Sequence, residues 1–208
     1  DMNDKTITIP QGTFYYKKLI CAIPPSSLQQ IDYFKDKTYL STVKPIPLVR
    51  IYAKYPVKNR TVWFKDIKRT TTDNYLRQII PIDYDTGLIM ISYTDGYYAT
   101  VWNQLYSCGE DILIEHLHKE IESLYEIKPP KPEFLSFHYW NEGFHVWKPG
   151  VTMEETYQST IQPDKDVPIY ICGEAFSKRQ GWMEGCLETC YDVIDQLKLP
   201  GIEIIRET

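Results

Sequence analysis

Apolar and polar side chains alternate through much of the first hundred positions, and this period of two predicts strands. Residues 6–10 alternate and predict a short strand, with a turn at Gln11-Gly12. Residues 14–23 are rich in β-formers and predict a second strand, which Pro24-Pro25 ends because proline cannot donate to a ladder. A short helix is expected over 26–34, with a serine cap ahead of Leu28, Ile31 and Phe34. After Pro45 and Pro47, residues 48–55 (LVRIYAKY) alternate over a full strand length and put Leu48, Arg50, Tyr52 and Lys54 on one face. Pro56 stops that strand, and residues 61–64 form another short β-like run. Two apolar strands are expected over 75–82 and 88–94, joined by Asp83-Tyr84-Asp85-Thr86-Gly87 as a hairpin connection. Asp95-Gly96 signals a turn, and residues 97–102 predict one more strand of an antiparallel meander.

The period changes at residue 110. Ile112, Leu113, Leu117, Ile121 and Leu124 recur near every 3.6 positions behind an acidic opening, predicting a helix over 110–126. The KPPKP run at 128–132 ends it and acts as a stiff connector. A strand is expected over 133–140, then a loop-like stretch over 141–162 with a turn at Lys148-Pro149-Gly150. A compact apolar strand at 167–172, a loop at 173–180 and a helix at 181–197, ended by Pro200-Gly201, complete the pattern. There is no internal repeat or low-complexity tract. The order of elements is that of an α/β or α+β fold, not a simple βαβ repeat.

A chain of 208 residues has room for one large domain or two small ones. Its hydrophobic fraction of 43% and aromatic fraction of 14% are those of an ordered globular protein. The net charge of −5, with no basic block, argues against nucleic acid as a ligand; the short basic cluster at 65–69 reads as solvated surface. No apolar run approaches the ~18 residues that span a bilayer, so no membrane partner is expected. Residues 1–12 are polar and contain no signal-peptide core. The chain starts at Asp1 rather than Met, which leaves room for a preceding segment. Five widely spaced cysteines without a CxxC suggest free thiols in the cytoplasm or another reducing compartment. Cys186 and Cys190 lie four apart on a predicted helix, but no His flanks them at ligand spacing, so buried thiols are expected rather than a metal site. There is no GxSxG or HExxH, and His116 and His118, two apart on a helix, do not share a face; a hydrolase is disfavoured.

The chemistry concentrates in residues 167–197. A buried strand delivers Gly173-Glu174 to its carboxyl end, where ligands of α/β sheets sit. A helix then starts near Gly181, and its amino end offers free N–H groups and partial positive charge to an anion. A plain strand-loop-helix explains the same residues equally well on physics alone. The run Gly173, Glu174, Gly181, Trp182, Met183, Glu184 and Gly185, however, resembles in order the last flavin-binding segment of the flavin-containing amine oxidases of the monoamine and polyamine oxidase type. That resemblance implies that Gly173 and Glu174 face the ribityl and pyrophosphate region. It puts Gly181, Trp182 and Met183 at the pyrimidine edge, where the helix dipole favours the negative charge of reduced flavin.

Three further stretches are similar to the family in the expected order. YKKLICAIPP (16–25) resembles the strand that returns the chain towards the substrate domain, with Ala22 and Pro24 beside the cofactor. PLVRIYAKYP (47–56) resembles the strand carrying a lysine that holds a water near the flavin; Arg50 stands there instead, always charged, larger and planar. FHYWNEGFHVWKPGV (137–151) resembles the segment with a flavin-flanking Trp, matched by Trp140, and one wall of an aromatic cage, matched by Phe144, with Trp147 as a second choice. Trp182 matches the other wall. Such rings frame a neutral amine.

The resemblance implies hydride transfer from an amine carbon to FAD, with oxygen as final acceptor, Arg50 positioning water and Phe144 and Trp182 framing a small-molecule amine. It implies the C-terminal part of an FAD-binding amine oxidase fold: residues 1–34 and 165–208 as pieces of the FAD domain, and 35–164 as a substrate domain with a mixed β-sheet and flanking helices. No GxGxxG fingerprint is present, so the N-terminal dinucleotide-binding half is expected in cis or in trans. No Cys occurs between Phe137 and Val151, so FAD is expected to bind noncovalently. Arg50 and the missing fingerprint also leave open a catalytically inactive module that serves as a structural or binding scaffold. Polyamine, aromatic monoamine and amino acid remain open as substrates; Glu154-Glu155 reads as solvated loop.

Overall fold

A computed structural model describes Asp1 and residues 4–197. In chain order the elements are strands β1 (Thr6–Ile9), β2 (Gly12–Tyr15) and β3 (Leu19–Cys21), helix α1 (Pro25–Leu28), and strands β4 (Val43–Lys54), β5 (Thr70–Thr71), β6 (Gln78–Asp83) and β7 (Leu88–Asp95). Helices α2 (Gly96–Cys108) and α3 (Glu110–Tyr125) follow, then β8 (Phe134–Trp147), α4 (Met153–Ile161), β9 (Ile169–Ile171) and α5 (Met183–Leu197). This is the mixed α/β class expected. The chain divides into two compact units: Asp1–Pro45 together with the chain from Phe144 onward, and Ile46–Gly143. Among the described residues no helix is long and apolar enough to cross a membrane.

The contiguous unit is built on a five-stranded sheet in the order β5-β6-β7-β4-β8. Strict alternation along β4 sends Val49, Ile51 and Ala53 inward, where they meet Ile89 and Ile91 of β7 and Leu113, Leu117 and Ile121 of α3 in one buried cluster. Gly87 closes the β6–β7 hairpin with φ +77, and a Cβ there would stand 2.1 Å from the Tyr55 carbonyl oxygen, so no other residue fits.

Three expectations fail in this unit. Residues 97–102, expected as a strand, begin helix α2. Ala99 and Trp102, three apart, share a helical face, are both buried, and join the core; Trp102 also donates its Nε1–H to the Tyr75 carbonyl at 2.9 Å. Packing of that face overrides a locally β-rich composition. Residues 61–64 form no strand: Asn59 and Arg60 take left-handed φ values of 51 and 61, Lys58 and Thr61 exchange backbone hydrogen bonds across that turn, and Val62 and Phe64 enter the core from loop structure. The strand expected to stop at residue 140 runs on to Trp147. Gly143 permits this, because a Cβ there would lie 2.2 Å from the Cβ of Leu48 on β4.

In the other unit β1 and β2 form a hairpin, and β3 and β9 pair in parallel, with Leu19 opposite Ile169 and Cys21 opposite Ile171. The single strand expected over 14–23 is therefore broken at Tyr16–Lys18, where the chain leaves one sheet and enters another. The helix expected over 26–34 shrinks to α1, with Pro24 at the N-cap and Pro25 in its first turn in place of a serine cap. A 3₁₀ turn over Asp32–Phe34 then buries Phe34 beside Leu28, β3 and β9. Part of the expected loop over 141–162 is helix α4, which buries Tyr157 and Ile161 against Tyr170, Val193 and Leu197. Glu154, expected in a solvated loop, lies in the first turn of α4 and pairs with Lys178 at 2.8 Å. The end expected for the last helix, Pro200-Gly201, lies outside the described residues. All five cysteines are free thiols.

Candidate functional site

The parallel pairing of β3 and β9 brings their carboxyl ends together, and the next residues of each strand are the ones singled out by sequence. Ala22 and Pro24 follow β3 and are exposed; Gly173 and Glu174 follow β9. Cys172 N–H donates to the Cys21 carbonyl at 3.2 Å, tying the two exits side by side. Gly173 has φ +134 and nothing within 4 Å of where a Cβ would stand. The backbone there is in a conformation side chains rarely adopt, and it faces open space. Its N–H is held by Thr189 Oγ1 of α5 at 2.8 Å, which fixes the strand exit to the helix.

Glu174 does not project freely. An ionised carboxylate only accepts, so His145 Nδ1 carries the proton and donates to Glu174 Oε1 at 2.6 Å. Glu174 Oε2 accepts from the backbone N–H groups of Gly181 at 2.9 Å and His145 at 3.3 Å. The His145 side chain is only 4% exposed and that of Glu174 20%. One carboxylate thus braces the end of β8, the loop after β9 and the approach to α5. His145 was not singled out by the sequence, because its partner lies far along the chain and no motif marks the pair.

The approach to α5 is shaped by two glycines. Gly181 has φ +78 and lies against the Phe144 ring, with 3.3 Å from the site of a Cβ to Cδ2. Gly185 sits where a Cβ would be 2.3 Å from the Arg179 carbonyl oxygen and from Ser177 Oγ, so the first turn of the helix is pressed onto the preceding loop. Trp182 and Met183 project at the amino end of α5, 71% and 79% exposed. A depression of about 530 Å³ lies beside them, lined by Lys178, Arg179, Gln180, Trp182 and Glu184. Trp147, by contrast, is fastened inside the unit: its N–H donates to Gln180 Oε1 at 2.8 Å, its Nε1–H to the Ser177 carbonyl at 3.2 Å, and its ring packs on Phe176.

In the contiguous unit, Arg50 lies on the face of β4 opposite the core, directly across from Tyr93 on β7. Its guanidinium stands 4.8 Å from the centre of the Tyr93 ring, and the Tyr93 and Tyr52 side chains hold it in the charged form. Its Nε is buried and, among the described residues, has no hydrogen-bond partner. On the same face Tyr52 meets His138 edge-on at 5.9 Å, and His138 stacks with Trp140, also at 5.9 Å. Trp140 is 43% exposed. Among the described residues no group of three or more potential metal ligands is found.

The profile of the flavin-containing amine oxidoreductases matches residues 3–193, and the chain belongs to that family. Among solved structures it is similar to a protein provisionally assigned as a protoporphyrinogen oxidase from Exiguobacterium sp. 255-15, at 10% identity and a TM-score of 0.65. The match covers 93% of this chain and 43% of that protein, so the chain spans less than half of that relative's length. At that identity the likeness is one of fold. FAD is the cofactor of the family. The residues at the carboxyl ends of β3 and β9 fit such a group: a glycine opening onto empty space and, at the start of α5, two exposed apolar side chains, Trp182 and Met183.

Proposed function

We propose that this chain is the C-terminal part of an FAD-dependent amine oxidase. The unit containing β3 and β9 takes one side of the cofactor, and the dinucleotide-binding half is supplied in cis or in trans. The observation that carries the reading is the convergence of Ala22, Pro24, Gly173 and the Gly181–Met183 segment at the carboxyl ends of two parallel strands. When bound, FAD supplies a two-electron acceptor for oxidation of an amine C–N bond, with oxygen as the final acceptor. The chain's own residues do the rest. The open backbone at Gly173 allows close approach of the cofactor's polar chain. Glu174 keeps Gly181 in place, so that the amino end of α5 presents its N–H groups in a fixed direction. Trp182 and Phe144 give aromatic walls for a neutral amine. By the family pattern, Trp140 takes the flavin-flanking role and Arg50 the role of holding a water. No residue need act as a strong general base if the amine enters neutral. Five free cysteines support a reducing compartment as the place of work.

One observation favours a second reading, an inactive scaffold: a permanently charged, planar Arg50 replaces the lysine of the family pattern. The two are separated by titrating the purified chain with FAD, following quenching of Trp182 emission against a Trp182→Phe control, then desalting and recording the visible spectrum. Saturable quenching at Trp182, with or without a retained flavin band, supports the flavoprotein. Absence of both sinks the flavin role of this unit and leaves the scaffold.

A further inference from the structure

Beyond Gly143 the last stretch of β8 faces two ways. Strand alternation turns His145 and Trp147 to one side and Phe144 to the other. The first pair is laced to the loop after β9. His145 donates from Nδ1 and from its backbone N–H to the two oxygens of Glu174, at 2.6 and 3.3 Å, and the Trp147 N–H donates to Gln180 Oε1 at 2.8 Å. Gln180 in turn donates to the Ala175 carbonyl at 2.6 Å, closing the loop on itself. Glu174 Oε2 has a second donor, the Gly181 N–H at 2.9 Å, and Gly181 lies against the Phe144 ring. A histidine whose side chain is 4% exposed is thereby tied to a carboxylate, a backbone amide and an aromatic ring at once.

The direction of that carboxylate matters as much as its anchoring. Glu174 directly follows Gly173, whose backbone opens onto empty space. Without a partner the carboxylate would turn into that space, because a charge is best solvated in water. His145 holds it the other way, against the end of β8. We infer that His145 is a positioning residue, which turns the charge of Glu174 away from the open side of Gly173 and, through Glu174, sets the places of Gly181 and the Phe144 ring. The consequence for the cofactor rests on the flavin reading above. FAD carries a negatively charged pyrophosphate, so a carboxylate released at Gly173 would repel it. The pair of His145 and Glu174 keeps an anion site clear of the protein's own anion.

The test sets FAD affinity of the whole chain, read by Trp182 quenching, beside two flavin-free NMR signals: the Gly181 amide, and 4-fluorophenylalanine incorporated at position 144. His145→Ala should shift both signals and weaken FAD about tenfold at low salt, a deficit that narrows at high salt as the repulsion is screened. Adding Glu174→Gln to His145→Ala should bring FAD affinity back to within about threefold of wild type, since the released group is then neutral. His145→Asn, whose amide N–H can take the place of Nδ1–H, should bind FAD as wild type does. A merely structural brace predicts that the double variant binds no better than His145→Ala, and that result overturns the inference. Unmoved Gly181 and position-144 signals in His145→Ala overturn it as well. Should His145→Ala fail to fold, His145→Met, which keeps the bulk and offers no donor, replaces it in every comparison. A wild-type chain that binds no FAD removes the flavin reading, and the two flavin-free signals then decide the positioning role alone.

Discussion

Removing the Glu174 carboxylate should loosen the loop that leads into α5, and the cost follows from its partners. Glu174 accepts one short bond from His145 Nδ1–H at 2.6 Å and one from the Gly181 N–H at 2.9 Å, besides a longer one from the His145 backbone. Hydrogen bonds to a charged group contribute about 1.5–3 kcal/mol each, and the 20% exposure of the Glu174 side chain reduces that by solvent screening. Glu174→Ala should therefore destabilise this unit by about 2–3 kcal/mol, and Glu174→Gln by roughly half as much, because an amide offers one acceptor where three donors converge. Urea denaturation followed by tryptophan emission reads this directly, since Trp147 packs on Phe176 within the same loop. Hydrogen exchange at the Gly181 amide should accelerate in parallel. A double-mutant cycle with His145→Ala isolates the pair and should give a coupling of about 1.5–2.5 kcal/mol. A cost below about 0.5 kcal/mol for Glu174→Ala, or a coupling near zero, would refute the bracing role.

Other expectations are simpler. Gly87→Ala puts a methyl on the Tyr55 carbonyl at a left-handed φ and should cost at least about 2 kcal/mol in chemical denaturation; a cost under about 0.5 would show that the hairpin relaxes freely. Burial holds His118 below the ordinary imidazole value of 6.5, beside the Tyr55 hydroxyl at 3.0 Å. The unfolded chain therefore binds the proton first, so stability is full above 6.5 and falls as pH drops from there through the folded value. Melting temperatures between about pH 7.5 and 5 should show that fall, and His118→Gln should flatten it. Among the thiols, exposed Cys108 should react first with a disulfide reagent in the native protein. Cys21 and Cys172, pushed up by burial to about 11 and about 12, should react only on unfolding; early reaction of either would refute its protection by the native core.

The elements legible in the sequence are those whose pattern and packing agree. The alternation of residues 48–55 and the 3.6 period of 110–126 became β4 and α3 because the same side chains that set the period fill the core. Residues 97–102 misled because aromatic and β-branched residues suit a strand locally, while Ala99 and Trp102 find buried positions only on a helix. β8 outran its expected end because Glu142 and Gly143 hide the pattern, and the need for glycine there comes from Leu48 on another strand. In the candidate site, the glycines and the Trp182-Met183 pair were legible as a motif. His145 was not, since a histidine acquires meaning only from the carboxylate that folding brings to it.

The pairing of β3 with β9 has a consequence for the order of folding. Its two strands come from opposite ends of the chain, and each is only three residues long. Little local stability offsets the entropy of closing so long a loop, and such contacts form late. The buried cluster of the contiguous unit, by contrast, is drawn from side chains within residues 46–143 and can gather while synthesis continues. Among the described residues the strand that pairs with Leu19–Cys21 is Ile169–Ile171, so this pairing closes only after about 150 intervening residues have been made. The β3–β9 pair is therefore a late step in the folding of the described residues, and anything that holds those two strands together would act on that step.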